Sequence, residues 1–254
     1  MKKQPLLLFF IAALFVAFTT TSCSKKDDTK KDDTENPGDG DGEEPADLSP
    51  YLKGSNYYLI TLDETSAGHI KSKIVKDYRP GEGPDGTSVI DIWPGGETYS
   101  AGSASGPNAF GEVEGWLSLV VTGFQGWSGG GVNHTAAPFL DLSGVKDDYT
   151  FHIAMKSKDN ATHRLIFYPT DGDGKEVAIS IGSKPYGDET TQPVADFARD
   201  GEWHHIEIPA KTLFDLGLRY TAATKAGYVF GFQSGGVEGT TFDIDGVFFY
   251  KKAK

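Results

Sequence analysis

YTFHIAMK, residues 149–156, alternates apolar and other side chains along its whole length. A period of two residues sends alternate side chains to opposite faces of a β-strand, so the odd positions of this stretch share one face. THRLIFYP (162–169) and KEVAISIG (175–182) continue the pattern. The predicted core face carries Tyr149, Phe151, Ile153, Met155, Leu165, Phe167, Val177, Ile179 and Ile181. The three stretches therefore predict three strands around a common core.

The connections SKDNA (157–161) and PTDGDG (169–174) are typical of hairpins, so neighbouring strands are predicted to be antiparallel. Pairing Ala154 with Arg164 and Ile166 with Ala178 keeps every core residue on one side. The other face then carries His152, Ala154, Lys156, Arg164, Tyr168, Glu176, Ala178 and Ser180. Long hydrogen-bonding side chains beside small ones leave such a face open to a sugar chain, although a solvated or loop-covered face fits the same pattern.

Further strands are predicted on both sides of this region. They cover 57–62, 88–93, 116–122, 138–142, 203–208, 227–233 and 241–250, and only 211–216 has a helical pattern. Many short β-branched and aromatic strands separated by glycine-rich turns are typical of an all-β fold. We predict an antiparallel β-sandwich or jelly roll.

The N-terminal region has the order of a secretory signal peptide. Lys2 and Lys3 precede the apolar run 6–18, and small residues 19–22 lead to Cys23, the single cysteine of the chain. TTSC (20–23) resembles the lipobox of bacterial lipoproteins, with Thr20 in place of the usual aliphatic residue, and SKKDD (24–28) resembles the export signal of Bacteroidetes surface lipoproteins. The resemblance implies cleavage after residue 22 and lipidation of Cys23, against the alternative of a secreted protein with a stray thiol.

The segment that follows Cys23 is acidic. Residues 24–48 carry ten acids and four lysines with almost no apolar side chain, so residues 23–48 are predicted to be a disordered spacer. The folded domain is then 49–254, and with Cys23 lipidated it has no thiol to form a disulfide. Of the net charge of −12, the leader accounts for +2 and the spacer for −6, which leaves −8 on the domain. Such a balance argues against a nucleic-acid partner and favours a neutral ligand.

GFQGWSGGGVNH (123–134) places five glycines around Trp127. We predict a loop on which Trp127 either presents its face to a sugar ring or plugs into the core, because aromatic faces stack on sugar C–H groups. The candidate ligand-binding residues are Trp127, Gln125, Asn133, His134, Tyr168, Arg164 and Trp93. GWSGG (126–130) fits the nucleophile-elbow pattern, but no helix follows it, so esterase activity is not expected. Asp171–Gly174 is interpreted as a hairpin turn rather than half of a calcium loop.

Two segments carry a family resemblance. DGEWHHIEI (200–208) resembles a strand of galactose-binding-like and laminin-G-like jelly rolls, and FDIDGVFFY (242–250) is similar to the closing strand of carbohydrate-binding modules with a galactose-binding-like sandwich. With the leader, the chain resembles a surface glycan-binding lipoprotein of a Bacteroidetes polysaccharide-utilisation system. The resemblance implies a structural calcium held by Asp245 with Asp63 or Glu64, no required cofactor, and a core position for Trp203.

The leading hypothesis is non-catalytic binding of a polysaccharide or oligosaccharide by a protein that the lipid anchor holds at the exterior of the outer membrane, beside an outer-membrane glycan transporter complex. A glycoside hydrolase or polysaccharide lyase is the first alternative. A lyase would use a group such as His152, Arg164 and Tyr168, whereas no carboxylate pair has a recognisable hydrolase pattern. A structural or adhesive surface protein is the second alternative.

Overall fold

The structure is a computed structural model. It describes residues 48–254 apart from 82, 94–98, 105–106, 114, 122–125, 171–173, 188–190 and 236, and for strand 99–104 it gives the backbone only. The leader, Cys23, most of the spacer, Gln125 and the turn at 171–173 lie outside the described residues. Among those that are described, no helix is long and apolar enough to cross a membrane.

Two β-sheets form the fold, and both are mixed. Sheet A contains β1 (Ser55–Thr61), β2 (Ile74–Asp77), β4 (Tyr99–Ala104), β5 (Trp116–Val121), β7 (Thr150–Lys156), β11 (His204–Pro209) and β13 (Thr241–Lys251). Sheet B contains β3 (Ser88–Trp93), β6 (Trp127–His134), β8 (His163–Phe167), β9 (Val177–Ile181), β10 (Pro193–Ala195) and β12 (Gly227–Gly235), in the order β10-β9-β8-β12-β6-β3. The all-β sandwich is confirmed. One strand pair in each sheet is parallel, β1 with β2 and β9 with β10, so the sheets are not purely antiparallel as predicted.

Two short α-helices lie between strands, α1 (Glu64–His69) and α2 (Ala210–Asp215), and 3₁₀ turns cover Pro50–Leu52 and Lys71–Lys73. The predicted helix at 211–216 therefore exists, one residue earlier. The carboxylate of Asp63 caps α1 by accepting a hydrogen bond from the backbone N–H of Ser66 at 2.7 Å. The sequence carries this capping signal before a segment for which no helix is predicted.

The core between the sheets is the one that the alternation predicts. Phe151, Ile153 and Met155 of β7 meet the odd-numbered side chains of β8 and β9 there. Phe230 and Phe232 of β12 add two further rings, and Phe151 lies 4.8 Å from Phe167 between ring centroids. The apolar faces of the two sheets close on each other, and the remaining face of sheet B is left on the outside.

The predicted pairing of β7 with β8 is wrong. β7 lies in sheet A between β11 and β13, where Ala154 faces His205 and Asp245, whereas β8 lies in sheet B. The connection at 157–161 crosses from one sheet to the other instead of forming a hairpin. Core-facing alternation is the same for a strand in either sheet, so the pattern alone could not separate the two arrangements. The pairing of β8 with β9 is confirmed, with Ile166 opposite Ala178.

Two other segments also differ from the prediction. Residues 138–142 form only an isolated bridge, because the carboxylate of Asp141 accepts hydrogen bonds from the backbone and side chain of Ser143 and turns the chain there. The glycine-rich stretch expected to be a loop is strand β6, paired on both sides with β3 and β12. Strands β2, β4 and β10 were not predicted.

The outer face of sheet A is covered by the N-terminal part of the domain. Tyr57 and Leu59 of β1 pack there on Phe248 and Tyr250 of β13, together with Leu52. Phe242 and Ile244 of β13 point into the core between the sheets, whereas Phe248 and Tyr250 point to the outer face. The strand changes face because its pairing is irregular at Gly246, which has φ +52°. The outer face of sheet A is therefore closed around β1 and β13.

Candidate functional site

The outward face of sheet B follows from its register. Asp91 of β3, Gly131 of β6, Gly231 of β12 and Ile166 of β8 lie side by side across four strands. The next outward row, two residues along, consists of Trp93, Gly129, Gln233, Arg164 and Ser180. One row further, Trp127 lies beside Gly235 at the end of the sheet. Large and small side chains thus alternate over one surface.

Three aromatic rings form a continuous row across this face, which we call the aromatic row: Trp93, Tyr228 and Tyr168. Ring centroids are 5.2 Å apart for Trp93 and Tyr228, and 5.3 Å apart for Tyr228 and Tyr168. All three side chains are half-buried. Desolvation raises the pKa of the Tyr168 hydroxyl to about 12, so this group is neutral and can donate a hydrogen bond at neutral pH.

The Trp93 ring of the aromatic row packs directly on the backbone of the sheet, because the two paired residues beneath it are glycines. A Cβ added at Gly131 would lie 2.7 Å from Cη2 of Trp93, and one added at Gly231 would lie 3.1 Å from the same atom. Gly131 and Gly231 face each other across β6 and β12. Gly131, which was predicted to lie in a loop, and Gly231, which lies in a predicted strand, therefore together leave space for the Trp93 ring on the sheet.

A hydrogen-bond network ties the aromatic row to β3 and β6. The Tyr228 hydroxyl donates to Oδ2 of Asp91 at 2.8 Å, and Asn133 Nδ2 donates to the same oxygen at 3.1 Å. Trp93 Nε1 donates to the Tyr228 hydroxyl at 3.3 Å. These partners fix the rings and leave polar groups at their edges, which suits a ligand with hydroxyls around an apolar ring.

A polar pair separates the aromatic row from the end of the sheet. Arg164 Nη1 donates to Oε1 of Gln233 at 3.0 Å, and Nη2 lies 3.6 Å from Oε1 of Glu176. We call the first two residues the Arg164–Gln233 ridge. The charge of Arg164 is partly compensated by Glu176, so the ridge can bond hydroxyls without requiring an anionic ligand.

Beyond the ridge lies a cleft of about 570 Å³, here called the Trp127 cleft. Trp127 forms one wall with 39% of its surface exposed, Tyr186 and Thr191 form the other, and Gly235 lies on the floor. The Tyr186 hydroxyl donates to the backbone oxygen of Ser234 at 2.8 Å, which ties this wall to β12. Trp127 presents its ring to solvent and is not a core plug.

His134 does not contribute to this face. Its side chain is 0% exposed, and Nε2 lies 2.7 Å from the carbonyl oxygen of Pro138 while Nδ1 lies 2.9 Å from the Ser88 hydroxyl. The neighbouring Asn133 points outward because adjacent residues of a strand alternate between faces. The prediction that His134 contacts a ligand is therefore wrong, whereas Trp127, Trp93, Asn133, Arg164 and Tyr168 lie on one face.

The catalytic groups considered from the sequence are not assembled. His152 lies in sheet A, fully buried, with Nδ1 2.6 Å from the Gly246 carbonyl oxygen, whereas Arg164 and Tyr168 lie on sheet B. Asp91 and Glu176 are carboxylates of the outward face, but four strand spacings separate β3 from β9, about 19 Å at 4.8 Å per strand. A hydrolase pair needs roughly 5–10 Å. Ser128 of the elbow-like motif lies within β6 and donates to the Gly235 carbonyl.

Of the predicted calcium ligands, Asp245 lies in β13 of sheet A, whereas Asp63 and Glu64 lie at the start of α1. Asp245 is buried and accepts hydrogen bonds from the backbone N–H groups of Gly246 and Ala109, while Asp63 accepts one from Asn108. Desolvation, with a further contribution from Asp63, raises the pKa of Asp245 to about 7. Two hard carboxylates suit calcium, but six to eight oxygens are needed and the described residues contain no group of three or more acidic, histidine or cysteine ligands. Glu64 binds Arg79 at 2.9 Å instead. The calcium site stays a prediction.

Sequence reasoning missed Tyr228 and Asp91. Both lie in strands that were predicted, but Tyr228 precedes an irregularity in the β12 pairing, so simple alternation gives no reliable face for it. Trp203 was expected in the core and is half-buried on sheet A, where its ring lies 5.4 Å from that of Trp116 and under the ammonium group of Lys156.

No protein-family model and no curated protein matches the chain. Among solved structures, it is similar to a family 30 carbohydrate-binding module, at 15% identity over 65% of this chain and 79% of that one, with a TM-score of 0.42. A family 11 carbohydrate-binding module from Clostridium thermocellum, in complex with a β-1,3-1,4-mixed-linked tetrasaccharide, is 17% identical over 70% of this chain and 96% of that one, with a TM-score of 0.38. The Endo-D glycoside hydrolase domain from Streptococcus pneumoniae R6 is 14% identical over 66% of this chain, which spans 22% of that structure, with a TM-score of 0.35. Similarities this distant carry no argument about the ligand, which depends on the face itself.

Proposed function

We propose that this protein binds a neutral polysaccharide without cleaving it, on the outward face of sheet B. The observation that carries the proposal is the aromatic row, in which the ring of Tyr228 lies 5.2 Å from that of Trp93 on one side and 5.3 Å from that of Tyr168 on the other. A row of rings with hydrogen-bonding groups at its edges matches the two surfaces of a sugar, its C–H face and its hydroxyls. Repetition along a polymer makes weak contacts useful through avidity.

The absence of an assembled catalytic pair on the described part of this face supports binding over hydrolysis. The Asp91 carboxylate accepts hydrogen bonds from Tyr228 and Asn133. Glu176 lies at the opposite side of the sheet, where it pairs with Arg164. The strongly acidic domain supports a neutral ligand over a polyanionic one, because like charge repels a uronic-acid polymer over roughly a Debye length.

We further propose that the protein is a lipoprotein, anchored through Cys23 to the outer membrane and facing the exterior, where it would deliver glycan to a transporter complex. The support is the leader and spacer sequence alone. Metabolic labelling with a palmitate analogue, compared between the wild type and Cys23→Ala, tests the anchor. Label that persists in the variant would exclude Cys23 as the lipidated residue.

Affinity electrophoresis against β-glucans, mannans, xylans and pectins tests the binding function. Trp93→Ala should reduce retention of the bound polymer by about tenfold, equivalent to about 1.4 kcal/mol, because it removes one stacking ring. Trp203→Ala is the matched control, since Trp203 is also a half-buried tryptophan but lies on sheet A.

Each outcome is informative. No retention of any polymer by the wild type would refute the proposal, and equal losses in the two variants would show that the effect is destabilisation rather than loss of a contact. New reducing ends or unsaturated products in the same incubations would instead establish an enzyme.

A further inference from the structure

We infer that the Trp127 cleft is a second subsite, which binds a side branch of a polysaccharide whose main chain lies on the aromatic row. This inference rests on the proposed function and adds the class of ligand, a branched rather than an unsubstituted glycan. Three observations carry it: the position of Trp127, the ridge in front of it and the walls around it.

Trp127 is not part of the aromatic row. Its partner on β12 is Gly235, four residues along the strand from Gly231, on which Trp93 rests. Four residues of strand measure about 13 Å. The rings of the row follow one another across the strands, whereas Trp127 is displaced from the row along the strand direction. A main chain stacked on the row would therefore pass Trp127 at a distance wider than one sugar ring.

The Arg164–Gln233 ridge lies between the two places. Both side chains belong to the outward row that separates Gly231 from Gly235, and they are joined at 3.0 Å. Their remaining polar atoms can bond hydroxyls from either side, as expected where a branch leaves the main chain.

The Trp127 cleft is bounded by side chains on two sides, whereas the aromatic row is an open surface. Tyr186 and Thr191 line the cleft together with Trp127, and both are tied to sheet B, because Ser180 Oγ donates to the Thr191 carbonyl and the Tyr186 hydroxyl donates to the Ser234 carbonyl. An exposed aromatic wall, a glycine floor and polar groups at the inner end suit one short, uncharged saccharide.

Gly235 allows the cleft to be filled without disturbing the row. A Cβ at this position meets nothing within 4 Å, and its backbone is in the ordinary strand region, so Gly235→Leu places an aliphatic side chain beside Trp127. Gly227→Leu is the matched control. Gly227 begins the same strand at its other end, and a Cβ there also meets nothing within 4 Å.

The experiment is isothermal titration calorimetry with pairs of oligosaccharides of equal backbone length: cello-oligosaccharide against xyloglucan, manno-oligosaccharide against galactomannan, and xylo-oligosaccharide against arabinoxylan. In at least one pair the wild type should bind the branched member about tenfold more tightly. Gly235→Leu should remove this preference and keep the affinity for the unbranched member, whereas Gly227→Leu should keep both.

Equal affinity for both members of every bound pair, or equal weakening of both by Gly235→Leu, would overturn the branch subsite and leave glycan binding intact. If the wild type binds none of the oligosaccharides, glycan binding itself fails and the branch subsite fails with it. The two failures are therefore distinguishable.

Discussion

Replacing His163 with leucine should make the protein markedly less sensitive to acid. The His163 side chain is fully buried at the start of β8, 4.7 Å from Phe242 between ring centroids, and neither ring nitrogen has a hydrogen-bond partner. Burial, with a smaller contribution from the nearby Arg199 cation, lowers the pKa of His163 from 6.5 to about 3. Asp196 pairs with Arg199 at 3.2 Å and only partly offsets this charge.

The sign follows from the direction of that shift. A histidine whose pKa is depressed in the folded state contributes stability that is fully present above pH 6.5 and is lost as the pH falls towards 3, because protons bind the unfolded chain first. Between pH 7.5 and pH 5, one such group reduces the free energy of unfolding by about 2 kcal/mol. His163→Leu removes this term, and it also removes an unsatisfied polar group whose burial costs about 1–3 kcal/mol at any pH.

Urea unfolding followed by tryptophan fluorescence at pH 7.5 and pH 5.0 measures the difference between the two proteins. The variant should be at least as stable as the wild type at pH 7.5, and its advantage should grow by about 2 kcal/mol at pH 5.0. His69→Leu is the control, because His69 is exposed and its ion pair with Glu112 spans 3.6 Å.

If the free energy of unfolding falls by the same amount between pH 7.5 and pH 5.0 in the wild type and in His163→Leu, the reasoning is refuted. Such a result would mean that His163 is not held neutral in the core. Acid sensitivity that remains in the variant is expected in part from His152, whose pKa burial also lowers to about 3. The comparison therefore concerns the difference between two proteins rather than the total effect of acid.

Three other substitutions and conditions test separate parts of the structure. Gly131→Ala should displace the Trp93 ring, which lies 2.7 Å from the added Cβ, and should shift tryptophan emission to the red while weakening glycan retention about tenfold. Gly246→Ala should lower Tm by roughly 4–8 °C, since φ is +52° and the new Cβ would lie 2.5 Å from the Phe110 ring, costing about 2 kcal/mol; an unchanged Tm would contradict the strain argument. For Asp245, the raised pKa means that its contribution to stability falls as pH rises from about 4 through 7, so Asp245→Ala should lower Tm less at pH 8 than at pH 5 in thermal melts of the two proteins.

The sequence predicts the strands of the core well because their side chains alternate strictly. Phe151, Leu165 and Ile179 lie in the core as the period of two residues requires. What alternation cannot specify is the partner of each strand, and β7 was assigned to the wrong sheet for this reason. Strand pairing is decided by contacts between segments far apart in the chain.

The candidate site was predicted in part. Trp127, Arg164 and Tyr168 lie on the outward face of sheet B, whereas His134, one residue from Asn133, lies inside. The prediction of a loop for the glycine-rich stretch is wrong because runs of glycine normally mark turns. Here Gly131 instead leaves space for the Trp93 ring, a role that depends on β3, β6 and β12 being adjacent in the sheet. Tyr228 is recognised as part of the site for the same reason, because its ring lies between those of Trp93 and Tyr168 only when their strands are adjacent.

The paired glycines Gly131 and Gly231 have a consequence for anyone who wishes to alter what this surface recognises. A Cβ at Gly131 would lie 2.7 Å from the indole of Trp93 and one at Gly231 would lie 3.1 Å from it, so randomised libraries selected for binding should return glycine strictly at position 131 and less strictly at position 231. Diversity introduced at Gly235, where the space is empty, should be tolerated. Retargeting efforts should therefore vary the periphery and leave the bare backbone under the indole untouched.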